Sequence, residues 1–247
     1  MRGETQVPAD TTHSGSSAAV FVAGTQTEVG KTFVSAVLLV ALRRAGIPAR
    51  YYKPVLTGGA PGDGASDPDL VAAAAGLPDD PRTMAGVWFA EPASPHFAAR
   101  LEGRTVDPAA LAAEARRRAA LGPLVVEGCG GLAVPLTEEG LLVSDLAAAI
   151  GAPVVLVART RLGAIHETLV TLEHARAKRL PLAGIVWNGF EGTAREEDTM
   201  ATVERLSGAP RLGVVPRVGG QSAAALERAV AAVDAGALWR AAMGRAA

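Results

Sequence analysis

The sequence predicts an α/β protein with a mostly parallel sheet and helices on both faces, folded as a single domain. Short apolar segments, typical of buried parallel strands, alternate with longer segments of helical periodicity. Strands and helices that alternate in this way form a parallel sheet. A glycine-rich turn between the first strand and the first helix has the form of a phosphate-binding loop. The chain shows no internal repeat and no long linker that would divide it.

The predicted elements follow from apolar runs and from their start and stop signals. Residues 18–23 are apolar and are followed by glycine, and a helix over 32–45 stops at Gly46 and Pro48. Asp107 is the predicted N-cap of a helix that continues through residues 111–120. The other predicted strands are 50–55, 124–127, 154–158, 182–187 and 212–215, and the other predicted helices are 144–150, 164–179, 195–206 and a terminal Ala-rich segment.

Composition narrows the function classes. The 247 residues have a formal net charge of -1, so we expect no nucleic-acid partner. Cys129 is the only cysteine, which excludes an internal disulfide and fits a reducing cytoplasm. No apolar run approaches the roughly 20 residues that span a bilayer, so we expect no membrane partner. Residues 1–18 are polar, lack the apolar core of a signal peptide and are predicted to be a disordered extension of the domain over 19–247.

Residues 24–32 read GTQTEVGKT and lie between the first predicted strand and helix. This is the context in which a Walker A match indicates nucleotide binding, because a helix N-terminus offers free N–H groups to phosphate oxygens. Lys31 would reach the β- and γ-phosphates, and the Thr32 hydroxyl would ligate Mg²⁺. The spacing is a variant, since the first motif position falls on Thr25 and not on Gly24. The alternative is an incidental glycine-rich turn.

Two charged residues end further predicted strands, at the edge of the sheet where ligands bind in such folds. Lys53 follows residues 50–52, and Glu127 precedes the glycine-rich GCGG segment. In a protein with a phosphate loop, a carboxylate at this place is typical of a second metal-site group. Without that context, Lys53 could be a surface lysine and Glu127 could cap a loop.

The motifs together resemble the dethiobiotin synthetase family. The segments that carry the resemblance are GTQTEVGKT, YKPVLTG, FAEPASPHFAA, VEGCGGLAVPL and VWNG, in the family's order and approximate spacing. The match extends from Ala19 to about Pro216. It implies an ATP- and Mg²⁺-dependent ligase that converts 7,8-diaminononanoate and CO₂ to dethiobiotin in biotin biosynthesis. One amine forms a carbamate, the carbamate oxygen attacks the γ-phosphate of ATP, and the second amine displaces phosphate from the mixed anhydride.

The resemblance also implies roles for individual residues, and it implies a homodimer. The expected catalytic cations are Lys31 and Lys53. The expected Mg²⁺ ligands are Thr32, Asp67 and Glu127, with Asp69 as the alternative to Asp67. Substrate contacts are expected from Thr27, Thr57 and Gly131. The expected ATP-binding residues are Thr27, Glu28, Val29, Gly30, Lys31, Thr32, Phe33, Asp67, Glu127, Gly128, Cys129, Gly130, Asn188, Gly189, Pro216, Arg217 and Val218.

The chain departs from the family pattern at three places. Gln26 stands where the family often has aspartate, and Cys129 replaces the usual alanine of the glycine loop. His166 and Glu167 stand where the family typically has Asn-His, in a segment near the subunit interface and the carboxylate end of the substrate. Two interpretations stay open there: His166 substitutes as a donor, or both residues are surface groups on a helix.

Two other function classes have a similar nucleotide domain. An amide-forming synthetase of the cobyrinic acid a,c-diamide synthase kind would also carry a glutaminase domain with a catalytic cysteine. A P-loop ATPase switch of the partition or septum-site type usually has a second lysine early in the loop, where this chain has Thr25, Gln26 and Thr27. The sequence favours the ligase over both.

Overall fold

The computed structural model describes residues 18–217 and 223–243. Seven parallel strands form one sheet in the order β3-β2-β4-β1-β5-β6-β7. The strands are β1 Ala19–Gly24, β2 Arg50–Thr57, β3 Ala85–Phe89, β4 Leu124–Gly131, β5 Val154–Arg159, β6 Leu182–Phe190 and β7 Arg211–Pro216. The fold is a single α/β domain, as predicted.

Helices cover both faces of the sheet. They are α1 Lys31–Arg44, α2 Asp67–Ala75, α3 Pro81–Met84, α4 Pro95–Leu101, α5 Pro108–Ala120, α6 Val143–Ile150, α7 Ala164–Ala177, α8 Ala194–Ser207, α9 Ala223–Ala231 and α10 Ala235–Ala242. Among the residues that the structure describes, no helix combines the length and the apolar character needed to cross a membrane.

The core has two parts because side chains alternate along each strand. In β1, Val20 and Val22 face helices α1, α2, α9 and α10, whereas Phe21 faces helices α4 to α8. All three side chains are fully buried. A strand buried on both faces reads as a continuous apolar run, which is why β1, β4 and β5 could be predicted from the sequence.

The strand β1 lies between β4 and β5 at the centre of the sheet. From β1 the chain moves to one side through β2 to β4 and then to the other side through β5 to β7. Ligands in open parallel sheets bind outside the carboxyl ends of the strands at the point where the strand order reverses. The loop after β1 therefore lies at the expected ligand site.

The structure adds elements that the sequence did not predict and moves some boundaries. The short helices α2, α3 and α4 and the edge strand β3 were missed, and two helices, α9 and α10, replace the single predicted terminal helix. Lys53 and Glu127 lie within their strands and do not end them, since β2 continues to Thr57 and β4 to Gly131. Pro54 is tolerated because the pairing of β2 with β4 ends at Tyr52.

Candidate active site

The phosphate loop joins β1 to α1 through residues 25–30. Gly30 is the N-cap of α1 with φ 94°, a left-handed conformation that glycine adopts without steric cost. A Cβ atom at Gly30 would lie 2.1 Å from Asn188 Nδ2. Asn188 donates from Nδ2 to the Val29 carbonyl oxygen at 2.8 Å, and Arg159 donates to the Glu28 carbonyl oxygen at 2.7 Å. Residues of β5 and β6 therefore stabilise the loop through hydrogen bonds to its backbone carbonyl oxygens.

A cluster of charged and polar side chains lies beside this loop. Lys53 Nζ is 2.7 Å from Glu127 Oε1 and 2.7 Å from Asp67 Oδ2. Thr32 Oγ1 is 2.7 Å from Asp67 Oδ1 and 3.0 Å from Glu127 Oε1. The Thr32 hydroxyl has one proton, so it can donate to only one of the two carboxylates at a time. A strand lysine, a helix threonine and two carboxylates are thus brought together from β2, α1, α2 and β4.

Burial and neighbouring charges shift the pKa values of this cluster. Burial alone would lower the pKa of Lys53, but the Glu127 and Asp67 carboxylates outweigh it and raise the pKa above its usual value. Burial would raise the pKa of Asp67, but Lys53 outweighs it and lowers the pKa. Burial, followed by the positive charge of Lys53, lowers the pKa of Lys31. Lys31 therefore lies where an added anion would be stabilised.

The structure separates Asp67 from its alternative, Asp69. Asp67 points toward Thr32 and Lys53. Asp69 accepts hydrogen bonds from the Gly62 backbone N–H and from the Ser66 hydroxyl, within the loop that precedes α2. Asp67 is the aspartate that faces the phosphate loop.

Two adjoining cavities open at the phosphate loop. The first has a volume of about 300 Å³ and contains the charged cluster. Every residue that lines it was predicted from the sequence to belong to the site: Thr27, Glu28, Gly30, Lys31, Thr32, Lys53, Thr57, Asp67, Glu127, Cys129 and Gly130. The second has a volume of about 520 Å³ and lies between the loop, the end of β4 and helix α7. Thr27 lines both cavities.

The second cavity is mostly apolar. Leu132, Ala133, Val134 and Val170 contribute to its wall, together with Gly131. His166, Glu167 and His174 supply its titratable groups. Glu167 pairs with Arg161 at 2.8 Å through Oε1, while its buried Oε2 has no protein partner among the described residues. His166 and Glu167 therefore both lie on a helix and face a cavity.

The remaining predicted residues lie around these cavities. The Gly128 carbonyl oxygen accepts a hydrogen bond from Lys53 Nζ at 3.1 Å, and Phe33 lies on α1 beside a smaller apolar cavity. Gly189 follows Asn188 with φ 84°, and Arg217 N donates to the Phe190 carbonyl oxygen at 2.7 Å. Pro216 ends β7. Val218 lies outside the described residues. Burial raises the pKa of the Cys129 thiol, so the thiol stays neutral.

Comparison with known proteins identifies the family. A family model described as an AAA domain matches residues 18–224. The ATP-dependent dethiobiotin synthetase of Rhodopseudomonas palustris strain BisB5 is 41% identical over 212 residues, which cover 86% of this chain and 92% of that protein. The synthetase of Anoxybacillus flavithermus is 34% identical over 204 residues, with coverages of 80% and 91%.

The chain belongs to the dethiobiotin synthetase family. A third relative, from Ralstonia nicotianae, is 41% identical over 203 residues and covers 80% of this chain and 88% of its own. The resemblance expected from the sequence motifs is thus confirmed.

Solved structures outside the dethiobiotin synthetase family share the fold. The cell division ATPase MinD from Pyrococcus furiosus has a TM-score of 0.51 at 18% identity and covers 91% of this chain and 97% of its own. Cobyrinic acid a,c-diamide synthase from Mycobacterium smegmatis has a TM-score of 0.52 at 17% identity, with coverages of 86% and 92%. The two competing function classes are therefore represented among structures of the same fold, and likeness at this level indicates fold alone.

Several residues of this candidate site were not predicted from the sequence. Tyr51 donates from its hydroxyl to Glu127 Oε2 at 2.8 Å, and burial followed by the Glu127 charge raises the pKa of Tyr51 well above its usual value. Its position two residues before Lys53 was the available signal, because residues two apart on a strand share a face. Arg159 and His174 belong to no recognisable motif, and only their contacts in the structure assign them to the site.

Proposed function

We propose that this protein is an ATP-dependent dethiobiotin synthetase, which forms the cyclic urea of dethiobiotin from 7,8-diaminononanoate and CO₂ in biotin biosynthesis. The observation that carries the proposal is the convergence of Lys31, Thr32, Lys53, Asp67 and Glu127 on one cavity at the phosphate loop. These groups come from four separate elements, and they are residues to which the family resemblance assigns metal-binding or catalytic roles. The proposal covers both the ATP-binding half and the diamine-binding half of the site.

Thr32, Asp67 and Glu127 are the proposed Mg²⁺ ligands. Both carboxylates have an oxygen within 3.0 Å of the Thr32 hydroxyl, and hard oxygen ligands are the donor set that Mg²⁺ prefers. The ion, held by these three residues, would supply positive charge that offsets the negative charge developing during phosphoryl transfer. Lys53 contacts both carboxylates and offsets part of their negative charge before ATP binds.

The proposed catalytic cations are Lys31 and Lys53. Phosphoryl transfer needs positioned reactants and neutralisation of charge on the transferring group more than covalent help from the protein. Lys31 lies at the N-terminus of α1 with its Nζ 3.3 Å from the Gln26 carbonyl oxygen, so its charge is largely free for phosphate oxygens. Lys53 lines the same cavity, where a carbamate would meet its ammonium group.

The larger cavity is the proposed site of the diamine. Thr27 lines both cavities, and Gly131 lines the larger one at the end of β4. The apolar wall suits a hydrocarbon chain, which gains about 0.8 kcal/mol per buried CH₂ group. Thr57 lines the cavity of about 300 Å³ that contains the charged cluster, where the carbamate would form. This arrangement would put the reacting nitrogens next to the phosphoryl group.

The proposed adenine contacts follow β6 and β7. Asn188 is buried, and its amide group fixes the loop through the Val29 carbonyl oxygen. Gly189, Pro216 and Arg217 border the same edge of the sheet, and Val218 would complete the set.

We further propose a homodimer, with residues 161–169 near the interface. A cytoplasmic location and the absence of nucleic-acid or membrane partners stay predictions.

The proposed function is tested by incubating purified protein with 7,8-diaminononanoate, bicarbonate, Mg²⁺ and ATP. Mass spectrometry should detect dethiobiotin, and phosphate should be released in equal amount. Lys31→Ala and Lys53→Ala should each abolish both products. ATP hydrolysis without dethiobiotin would reject the diamine as substrate and direct attention to His166 and Glu167. Turnover near that of the wild type in either lysine variant would reject the role of that lysine.

A further inference from the structure

We propose that Tyr51 is a positioning residue that holds the Glu127 carboxylate in the orientation suited to Mg²⁺. The inference rests on the metal-binding role proposed for Glu127. Glu127 is fully buried, and its two oxygens have different partners. Oε1 faces Thr32 and Lys53 in the cavity, while Oε2 accepts a hydrogen bond of 2.8 Å from the Tyr51 hydroxyl. Within the described parts of the chain, no other group donates to Oε2.

The strand geometry explains why Tyr51 reaches this carboxylate. Tyr51 and Lys53 leave β2 on the same face, because side chains two residues apart on a strand point the same way. Tyr51 is 3% exposed and packs with the core beneath α1. Glu127 lies on the neighbouring strand β4, so one face of β2 supplies both a cation for Oε1 and a hydroxyl for Oε2.

Two donors on opposite oxygens fix the rotation of a carboxylate. Without the Tyr51 hydroxyl, Oε2 would be a buried acceptor without a partner, which costs free energy. The carboxylate could then reduce that cost by rotating toward Lys53 or Thr32 with both oxygens. A rotated carboxylate no longer presents Oε1 to a cation beside Thr32. Groups that orient metal ligands in this way typically change metal affinity by about 10–100-fold.

The neighbouring residue Tyr52 provides a matched control. Tyr52 is also fully buried, but it leaves the opposite face of β2 and packs in the other part of the core. Its hydroxyl has no hydrogen-bond partner among the described residues. Tyr51→Phe and Tyr52→Phe therefore remove the same atom from adjacent positions, and only the first removes a contact with Glu127.

The test measures Mn²⁺ binding to protein saturated with ADP, using the electron paramagnetic resonance signal of free Mn²⁺. Tyr51→Phe should weaken Mn²⁺ binding about tenfold, while the affinity for ADP without metal stays close to that of the wild type. Tyr52→Phe should leave Mn²⁺ and ADP affinities unchanged. In a turnover assay, excess MgCl₂ should restore the rate of Tyr51→Phe, as expected of weakened metal binding.

A double mutant ties the effect to the carboxylate. In a Glu127→Gln background, Tyr51→Phe should cause no further loss of Mn²⁺ affinity; a second tenfold loss would overturn the proposal. Unchanged Mn²⁺ affinity in Tyr51→Phe would also overturn it, as would an equal loss of metal-free ADP affinity, which would indicate a structural role. A wild-type protein without ADP-dependent Mn²⁺ binding would reject the proposed metal site itself, independently of any result with the diamine.

Discussion

Lys31 and Lys53 line one cavity, but their surroundings shift their pKa values in opposite directions. Lys53 lies between two carboxylates that raise its pKa, so its ammonium form is stabilised by folding. This stability is present below the usual lysine pKa of 10.5 and is lost only as the pH rises through the higher folded-state value. Lys31 has a lowered pKa because burial and then Lys53 disfavour its charge. At neutral pH the charge of Lys31 therefore opposes folding and favours anion binding.

This difference predicts that two inactive variants differ in stability. Lys53→Ala leaves Asp67 and Glu127 without their cation and should lower the free energy of unfolding by about 3–5 kcal/mol. Lys31→Ala should cause a clearly smaller loss. Urea unfolding in EDTA at pH 7 measures both, and MgCl₂ should stabilise Lys53→Ala more than the wild type by replacing the lost cation. Equal losses in the two variants would contradict this account of the cluster.

Gly30 allows a second prediction for a single residue. Gly30→Ala places a Cβ atom 2.1 Å from Asn188 Nδ2 at a φ of 94°, so it should move Asn188 and weaken ADP binding. Gly140 has nearly the same φ, 91°, and a Cβ atom added there would meet nothing within 4 Å among the described residues. Gly140→Ala should therefore cost only the left-handed strain of about 1–2 kcal/mol and leave ADP affinity unchanged. Calorimetric titration with ADP separates the clash from the strain, and equal affinities would reject the role of Asn188 at the loop.

Among the elements, the buried strands were predictable and the short peripheral elements were not. The strands β1, β5 and β6 are apolar over most of their length, since both of their faces are covered. The edge strand β3 pairs with β2 alone among the described strands, and part of it is open to solvent, with Trp88 40% exposed. Its five residues give too short a pattern for period-two analysis. The helix α4, which begins at Pro95, was also missed. Its segment was recognised as a family motif, but it is too short to show helical periodicity.

Helix α8 begins with a capping box that gives a pH prediction. Glu196 accepts hydrogen bonds from the Thr193 hydroxyl and the Thr193 and Glu191 backbone N–H groups, at 2.9, 3.0 and 3.1 Å, and from the Thr160 hydroxyl. Burial would raise the pKa of Glu196, but these hydrogen bonds outweigh it and lower the pKa from 4.5 to about 2. The stabilisation is therefore present above pH 4.5 and is lost as the pH falls toward 2.

Glu196→Gln should consequently lower the free energy of unfolding by about 2–3 kcal/mol at pH 6. The difference from the wild type should narrow at pH 3, because the unfolded wild-type carboxylate is then mostly protonated. Urea unfolding at the two pH values measures this. Glu197→Gln, which removes only an exposed contact of 3.9 Å with Arg211, should change stability little at either pH. A difference for Glu196→Gln that does not depend on pH would contradict the prediction.

At the scale of the whole molecule, the topology explains how much of the site the sequence could predict. Motifs that follow or end parallel strands converge at one edge of the sheet, so Lys31, Lys53 and Glu127 could be grouped from the sequence alone. The choice between Asp67 and Asp69 depended on a loop whose length differs from the family's, and only the geometry separates them. Tyr51 was missed because it lies behind the site, in a strand position that reads as core.

The same edge of the sheet carries the predicted interface between subunits. Leu162 lies between β5 and α7, in the segment that leads to His166 and Glu167, and is 82% exposed. Val170 on α7 lines that cavity and is 54% exposed. Exposed apolar side chains next to a substrate cavity are typical of a surface that a partner covers. A second copy placed there would bury the segment that differs from the family, including His166 and Glu167.

Leu162→Asp should therefore weaken dimerisation at least about tenfold, because a carboxylate buried at an apolar interface loses its hydration. Sedimentation velocity over a concentration series measures the dissociation constant, and dethiobiotin formation should fall as the monomer accumulates. Leu121→Asp is the matched control: Leu121 is 67% exposed but precedes β4, at the opposite edge of the sheet, and its substitution should change neither quantity. Wild-type dimerisation in Leu162→Asp would place the interface elsewhere, and a monomeric wild-type protein that makes dethiobiotin would show that each subunit holds a complete site.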